Sequence, residues 1–162
     1  MSKLVKYLNQ LFINRGISEV NHYQSFFIEM ITDDRKEGWP INVRIQLYSD
    51  WRINDAIWWD NFLKKTPRLT SSLAMPDDCM RAFSLFYLKD FDVISIDILD
   101  NSDMVVKFSN SDFLYVPGRS EAIECSWIID VPVEPEFCDF NIICDECGEI
   151  YISDYAKKII GL

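Results

Sequence analysis

Residues 92–109 read DVISIDILDNSDMVVKFS, and this stretch decides the fold class. Apolar residues alternate on both sides of the polar segment DNSD, which is the pattern of two strands joined by a tight turn. A three-residue loop would pair Ile98 with Val106 and Asp97 with Lys107. This register gathers apolar side chains on one face and an opposite-charge pair on the other, so the sequence predicts an antiparallel hairpin.

The remainder of the C-terminal half is also rich in β-forming residues. FLYVP (113–117) and AIECSWIID (122–130) each predict a strand. FNIIC (140–144) and EIYIS (149–153) flank the turn DECG and predict a second hairpin. A short helix, DYAKKII (154–160), is expected to close the chain, because its lysines lie near the C-terminal end, where the helix dipole favours cations.

The N-terminal half is predicted to be mainly helical. Apolar residues at helical spacing indicate helices over residues 2–13, 54–65 and 77–88, and a polar residue at the start of each can cap it. In the third of these helices, the side chains expected to face the core are those of Cys79, Ala82, Phe83 and Phe86.

Residues 19–31 fit two kinds of secondary structure. Apolar residues from Val20 to Met30 follow a helical spacing, and helix is the interpretation preferred here. Residues 25–32 could equally form a strand that pairs, through the turn DDRKEGWP, with the β-rich segment INVRIQLY (41–48). The sequence leaves both alternatives open.

Runs of helices followed by runs of strands predict the α+β class, with a mainly antiparallel sheet in the C-terminal half and the N-terminal helices packed on one face. The length predicts a single domain, 1–162, with a mainly helical part over 1–90 and a mainly β part over 91–162. A chain of this length buries enough surface to fold without a disulfide or a metal.

The N-terminus and the cysteines bear on the compartment. MSKLVKYLNQLF lacks the apolar core of a signal peptide, and no stretch approaches the 18 apolar residues of a membrane span. An odd number of cysteines without a secretory signal indicates reduced thiols and a cytoplasmic protein. The five cysteines are Cys79, Cys125, Cys138, Cys144 and Cys147.

Cys144-x-x-Cys147 resembles half of a zinc site, since two thiolates at that spacing can hold one metal ion. A tetrahedral site needs four ligands, and the nearby Cys125 and Cys138 do not form a second such pair. The alternative is a hairpin turn in which Gly148 supplies a positive φ. The turn is favoured and no cofactor is expected, although the sequence does not decide whether the pair binds zinc.

Motifs that carry chemistry are scarce. His22 is the one histidine, and no serine or cysteine stands in a recognisable nucleophile motif. The five glycines are scattered, so neither a P-loop nor a dinucleotide fingerprint is present. We therefore expect a binding protein and not an enzyme.

The negative charge is concentrated in one part of the chain. Residues 1–90 hold 12 bases and 11 acids, whereas residues 91–162 hold 4 bases and 15 acids, for a net charge of −10. Residues 120–156, the acidic segment, contain no Lys or Arg. Strand alternation places Trp127 inward and Ser126 outward. The residues expected to bind a partner are Glu121, Glu124, Asp130, Glu134, Glu136, Asp139, Asp145, Glu146, Glu149 and Tyr151.

In its size, its charge, its lack of catalytic motifs and its acidic segment, the chain resembles the bacterial immunity proteins of contact-dependent growth inhibition and related toxin systems. The resemblance implies a basic toxin domain as the partner, a nuclease being the natural case. An acidic protein is not expected to bind nucleic acid or an anionic membrane directly. The alternatives are a carboxylate- or metal-dependent enzyme, and a phage or host accessory protein with another partner.

Overall fold

The computed structural model describes residues 2–23, 25–32, 37–65, 76–121 and 124–161. Within these ranges the chain forms four α-helices and ten strands. The helices are α1 Ser2–Phe12, α2 Ala56–Lys65, α3 Pro76–Tyr87 and α4 Asp154–Ile160. The strands are β1 Gly16–His22, β2 Phe26–Ile31, β3 Asn42–Leu47, β4 Arg52–Ile53, β5 Val93–Ile98, β6 Met104–Phe108, β7 Phe113–Val116, β8 Cys125–Asp130, β9 Asn141–Asp145 and β10 Ile150–Ile152.

The strands form two antiparallel sheets, which confirms the α+β class. One sheet has the order β1-β2-β3-β8-β9-β10 and the other has the order β4-β7-β6-β5. The first four strands lie in the N-terminal half, so that half contributes strands as well as helices. No helix in the described ranges is both long enough and apolar enough to cross a membrane.

The preferred helix over residues 19–31 is wrong, and the alternative strand is present. β2 pairs with β3 from Phe26 opposite Leu47 to Ile31 opposite Asn42, as the alternative predicted. Phe26, Ile28 and Met30 are buried, and the residues between them are half-buried. Buried and half-buried residues alternate with the period of two that is typical of a strand, because β2 lies inside a sheet with one face on the core.

The hairpin of β5 and β6 is present with a different register. Ile98 pairs with Met104, two residues from the predicted partner, so the side chains of residues 95–98 keep their predicted faces. A register irregularity between Val93 and Ser95 reverses the alternation before them, so that Val93 is buried and Ile94 is exposed. The loop is fixed by the buried Asp103, whose carboxylate accepts hydrogen bonds from the Gly118 backbone N–H (2.8 Å) and from the Tyr115 hydroxyl. These partners are distant in sequence, which is why the hairpin alone predicted another loop.

One hydrophobic core joins the buried faces of both sheets with α1 and α4. Trp51 and Trp127 are among its largest fully buried side chains, and the Trp127 indole N–H donates to the Ser102 carbonyl oxygen (3.1 Å). α1 contacts β5, whose outer edge it protects. The Asn9 side chain donates to the Ile96 carbonyl oxygen (2.7 Å) and accepts from the Ile96 N–H (3.1 Å), as a neighbouring strand would.

Of the four residues predicted to face the core from α3, Ala82 is half-buried against it, and the prediction is wrong for the other three. Phe83 and Phe86 are 59% and 49% exposed, and Cys79 is also exposed. The helix instead buries Met80 and Leu85 where it lies against β1. Because this helix carries apolar residues on more than one side, its sequence alone did not identify the side that meets the core.

Candidate partner-binding surface

The acidic segment folds into β8, the β9–β10 hairpin and the loop that joins them. The hairpin turn is built by Asp145, whose Oδ1 accepts the backbone N–H groups of Cys147 (2.9 Å) and Glu149 (2.8 Å). Gly148 follows with a φ of +86°, which confirms the predicted role of this glycine. The Asp145 carboxylate is therefore committed to the turn.

The two thiols of the C-x-x-C motif lie in different surroundings. Cys144 is fully buried, and its S–H donates to the Gly118 carbonyl oxygen (3.2 Å), whereas Cys147 is exposed in the turn. Burial raises the pKa of Cys144 to about 12, so the thiol is protonated at neutral pH. Among the residues that the structure describes, no three His, Cys, Asp or Glu side chains are grouped to hold a metal ion.

Asp130 is paired inside the chain. β3 and β8 place Arg44 directly opposite it, and the guanidinium bonds both carboxylate oxygens at 2.9 and 2.6 Å. Gln46 donates to the same carboxylate at 2.9 Å. The hydrogen bond with Asp130 is the main cause that raises the pKa of Arg44. The charge of Asp130 is therefore already compensated, although the acidic segment itself contains no base.

Glu134 makes a structural contact with the start of β3. Its Oε1 accepts the backbone N–H groups of Ile41 (2.7 Å) and Asn42 (3.0 Å), which lie at the start of β3. The guanidinium of Arg15 donates to the carbonyl oxygens of Pro40 and Ile41 in the same segment. Glu134 thus ties the β8–β9 loop to the body of the protein.

Ser126 is buried, contrary to the predicted outward position. A register irregularity between Cys125 and Trp127 turns it inward, and its hydroxyl donates to the Asp145 carbonyl oxygen (3.1 Å). Its own carbonyl oxygen accepts the N–H groups of Tyr48 (3.0 Å) and Ser49 (2.9 Å). A β-bulge of this kind changes the face of a residue without a signal in the alternation.

Four carboxylates remain exposed at one end of this hairpin. Cys125 pairs with Asp145 across β8 and β9, and the Ser120 N–H donates to the Glu146 carbonyl oxygen (3.2 Å). Burial is the main cause that raises the pKa of Cys125, and the charges of Glu124 and Glu146 are the next causes. Both carboxylates therefore lie near this thiol. We call the group the acidic hairpin end. It consists of Glu121, Glu124, Glu146, Glu149 and Tyr151.

The acidic hairpin end is not neutralised by ion pairs. In the described part of the chain, none of its four carboxylates has a Lys or Arg nitrogen within 4 Å. Arg119 lies against Gly148, within 3.5 Å of the position that a Cβ there would occupy, and is the neighbouring cation. Tyr151 is 54% exposed and donates to the Glu149 carboxylate (2.7 Å), a bond that raises the pKa of Tyr151 to about 12.

The other predicted residues lie elsewhere. Glu136 and Asp139 are exposed in the segment before β9, at the opposite end of that strand from the turn. Asp154 at the same end pairs with Lys157 (3.2 Å). The structure therefore separates the acidic segment into two exposed groups and three carboxylates with internal roles.

β10 is an edge strand of the six-stranded sheet. Backbone bonds join Asp145 to Glu149 and Ser153 to Asn141, so the antiparallel pattern directs the backbone groups of Tyr151 toward β9. The N–H and C=O groups of Ile150 and Ile152 consequently point away from β9, toward the open edge.

Sequence reasoning missed an exposed aromatic surface on α3. Phe83, Phe86 and Tyr87 are spaced three and four residues apart, so they share one side of the helix, and all three are exposed. The signal was present, because α3 has more large apolar residues than one core-facing stripe requires.

His22, the histidine considered for catalysis, has its ring stacked on that of Phe26, with 4.3 Å between the ring centroids.

Comparisons of the chain with protein-family models, with curated proteins and with solved structures gave no match.

Proposed function

We propose that this chain is a cytoplasmic immunity-type protein that binds a basic toxin domain and neutralises it through the acidic hairpin end. The observation that carries the proposal is the group of four exposed carboxylates with no ion pair in the described ranges. Like charges held together repel one another, and a cationic partner relieves that repulsion. The role is binding, without a reaction catalysed by the chain itself.

The chemistry fits a partner whose own function depends on cations. A nuclease grips phosphates with Lys and Arg. Carboxylates placed against those cations would occupy the groups that bind nucleic acid, and opposite charge would speed the encounter of the two proteins. Tyr151 supplies a large, partly exposed ring of the kind that contributes most to interface affinity.

The edge of β10 supports the same surface. The outward backbone groups of Ile150 and Ile152 can pair with an extended segment of a partner, which is a recurring mode of recognition. A basic segment fits best, because Glu149 and the turn carboxylates flank this edge. Pairing with a second copy of this chain would bring like charges together.

The test is neutralisation of the basic protein encoded by a neighbouring reading frame. The two proteins are co-expressed, and growth and co-purification are measured at low and high salt. We expect growth to be restored and the complex to weaken as salt screens exposed charges. A neighbouring toxin that stays active and does not co-purify contradicts the proposal.

A second candidate is an accessory protein that docks a partner on α3. The exposed ring surface of Phe83, Phe86 and Tyr87 favours it, since exposed apolar patches mark interaction sites. In the complex described above, Phe83→Ser is expected to leave binding unchanged. Loss of binding on that substitution, with full binding by Glu124→Lys, would contradict binding through the acidic hairpin end and favour α3 as the docking surface.

A further inference from the structure

A cleft of about 380 Å³ lies between α1 and the segment that leads into β3. Lys6, Gln10 and Asn14 line one wall, and Trp39 and Pro40 line the other. The volume lies within the range of small-molecule sites, which is about 300–1,000 Å³. The cleft is therefore large enough for a metabolite-sized ligand.

The α1 wall offers hydrogen-bond donors. Lys6 and Gln10 are four residues apart, so they lie on one side of the helix, and Asn14 stands in the turn two residues after its end, with a φ of +65°. Lys6 is exposed and, in the described ranges, has no ion pair. Among the described lining residues there are two bases and no acid, in a chain whose net charge is −10.

The second base, Arg15, is 3% exposed and also lines the cleft. Its three nitrogens donate to backbone carbonyl oxygens, those of Leu11, Pro40 and Ile41. No carboxylate of the described residues is within ion-pair distance of it. A buried charge held by neutral acceptors alone is costly, and an anion beside it lowers that cost.

The pKa of Arg15 also indicates a buried charge that its surroundings compensate only in part. Burial lowers its pKa to about 10, and the more distant charge of Glu134 opposes that effect. Tyr7 is buried near Arg15, and its hydroxyl has no hydrogen-bond partner in the described part of the chain. The surroundings of the guanidinium therefore hold a positive charge that the neighbouring groups compensate only in part.

We infer that this cleft binds a small oxyanion, a carboxylate or a phosphate, between the α1 donors and the buried guanidinium. Lys6 supplies the mobile cation, the amides of Gln10 and Asn14 donate to the oxygens, and Arg15 contributes its fixed charge from below. The acidic hairpin end has no part in this site, so the two proposals stand or fail separately.

The test is a titration of the whole protein followed by amide and Trp indole NMR signals. Sodium phosphate and sodium acetate are the two probes, and sodium chloride keeps the ionic strength constant. We expect saturable shifts at Lys6, Gln10, Asn14 and the Trp39 indole. The probe with the smaller dissociation constant shows whether phosphate or carboxylate is the better ligand.

Two variants test how much the charge of Lys6 and the side-chain amide of Asn14 contribute to binding of the probe. Lys6→Gln is expected to weaken binding by about 3- to 10-fold, the effect of one partly exposed charge. Asn14→Gly removes an amide donor at a residue with φ +65°, a backbone conformation that glycine accepts. We expect it to weaken binding by about 2- to 5-fold, which is the loss of one hydrogen bond.

The matched control is Lys3→Gln, which removes an exposed lysine of the same helix outside the cleft. It is expected to leave the dissociation constant within about twofold. Absence of saturable shifts with both probes contradicts the inference. Equal weakening by Lys3→Gln and Lys6→Gln also contradicts it, because it would show attraction by net charge and not by a site.

Discussion

Replacement of Glu134 tests whether this acid stabilises the fold. Its Oε1 accepts two backbone N–H groups, from Ile41 at 2.7 Å and from Asn42 at 3.0 Å. Both bonds are partly buried, and both involve a charged acceptor. Glu134→Ala leaves the two N–H groups without that acceptor and removes the carboxylate whose charge acts on the buried Arg15.

The expected cost follows from these contacts. A hydrogen bond to a charged group contributes about 1.5–3 kcal/mol, and partial access of water to the segment reduces the loss. We expect Glu134→Ala to lower the free energy of unfolding by about 2–4 kcal/mol. Glu134→Gln keeps an oxygen acceptor without the charge, so its cost is expected to be about half as large.

Urea denaturation followed by tryptophan fluorescence measures these differences. With a slope of about 1–3 kcal/mol per molar urea, the Glu134→Ala midpoint falls by at least about 0.7 M. Glu124→Ala is the matched control, because Glu124 is exposed and its expected effect is below about 0.5 kcal/mol. Equal midpoints for Glu134→Ala and Glu124→Ala would refute the structural role of Glu134.

Three further predictions concern the turns, the thiols and Tyr151. A Cβ at Gly118 would lie 2.4–2.7 Å from the backbone of Ser102 and Asn101, whereas one at Gly16 would make only an ordinary contact with the Asp92 carboxylate at 3.6 Å. Thermal denaturation should therefore show a much larger loss for Gly118→Ala than for Gly16→Ala, and similar losses would contradict the packing. Iodoacetamide at pH 8, followed by mass spectrometry, should label the exposed thiols fast, which are those of Cys79, Cys138 and Cys147. Cys125 and Cys144 should be labelled slowly, because burial is the main cause that raises their pKa values. Fast labelling of Cys144 would contradict its burial. The Glu149 carboxylate raises the pKa of Tyr151 to about 12, so Glu149→Gln should lower that pKa toward 10. The NMR shift of the Tyr151 ring Cζ measures this pKa. An unchanged pKa would contradict the contact between the two side chains.

Local patterns predicted the elements that depend on nearby residues. The β9–β10 hairpin and α4 follow the sequence closely, because a turn glycine and the lysines of the last helical turn stand at the expected positions. The helix preferred for residues 19–31 is wrong because their apolar spacing fits both the helical period and the strand period. The order of the strands decides between those periods, and that order is not a local property.

The candidate surface required the same non-local information. Asp130 is 86 residues from Arg44 in sequence, and only the pairing of β3 with β8 joins them. Glu134 reaches Ile41 across 93 residues. The sequence correctly located an acidic segment without internal bases, but it could not separate the carboxylates that hold the fold together from those that stay exposed.

The central claim is that the position of the carboxylates, and not net charge alone, binds the partner. A control that reverses the same number of exposed acids elsewhere separates the two. Glu19, Asp90 and Asp92 are exposed at or near β1, and Asp60 is exposed on α2. β1 and β10 are the two edges of one six-stranded sheet, about 24 Å apart by strand spacing.

The most direct measurement is the dissociation constant of the complex with the neighbouring toxin domain, by titration calorimetry at physiological salt. Reversal of Glu121, Glu124, Glu146 and Glu149 to Lys is expected to weaken binding by about 30-fold or more, as several lost charge pairs require. The control reversal should change the constant by less than about threefold, because salt screens charges beyond about 8 Å. Equal weakening by the two reversals would contradict the proposed surface.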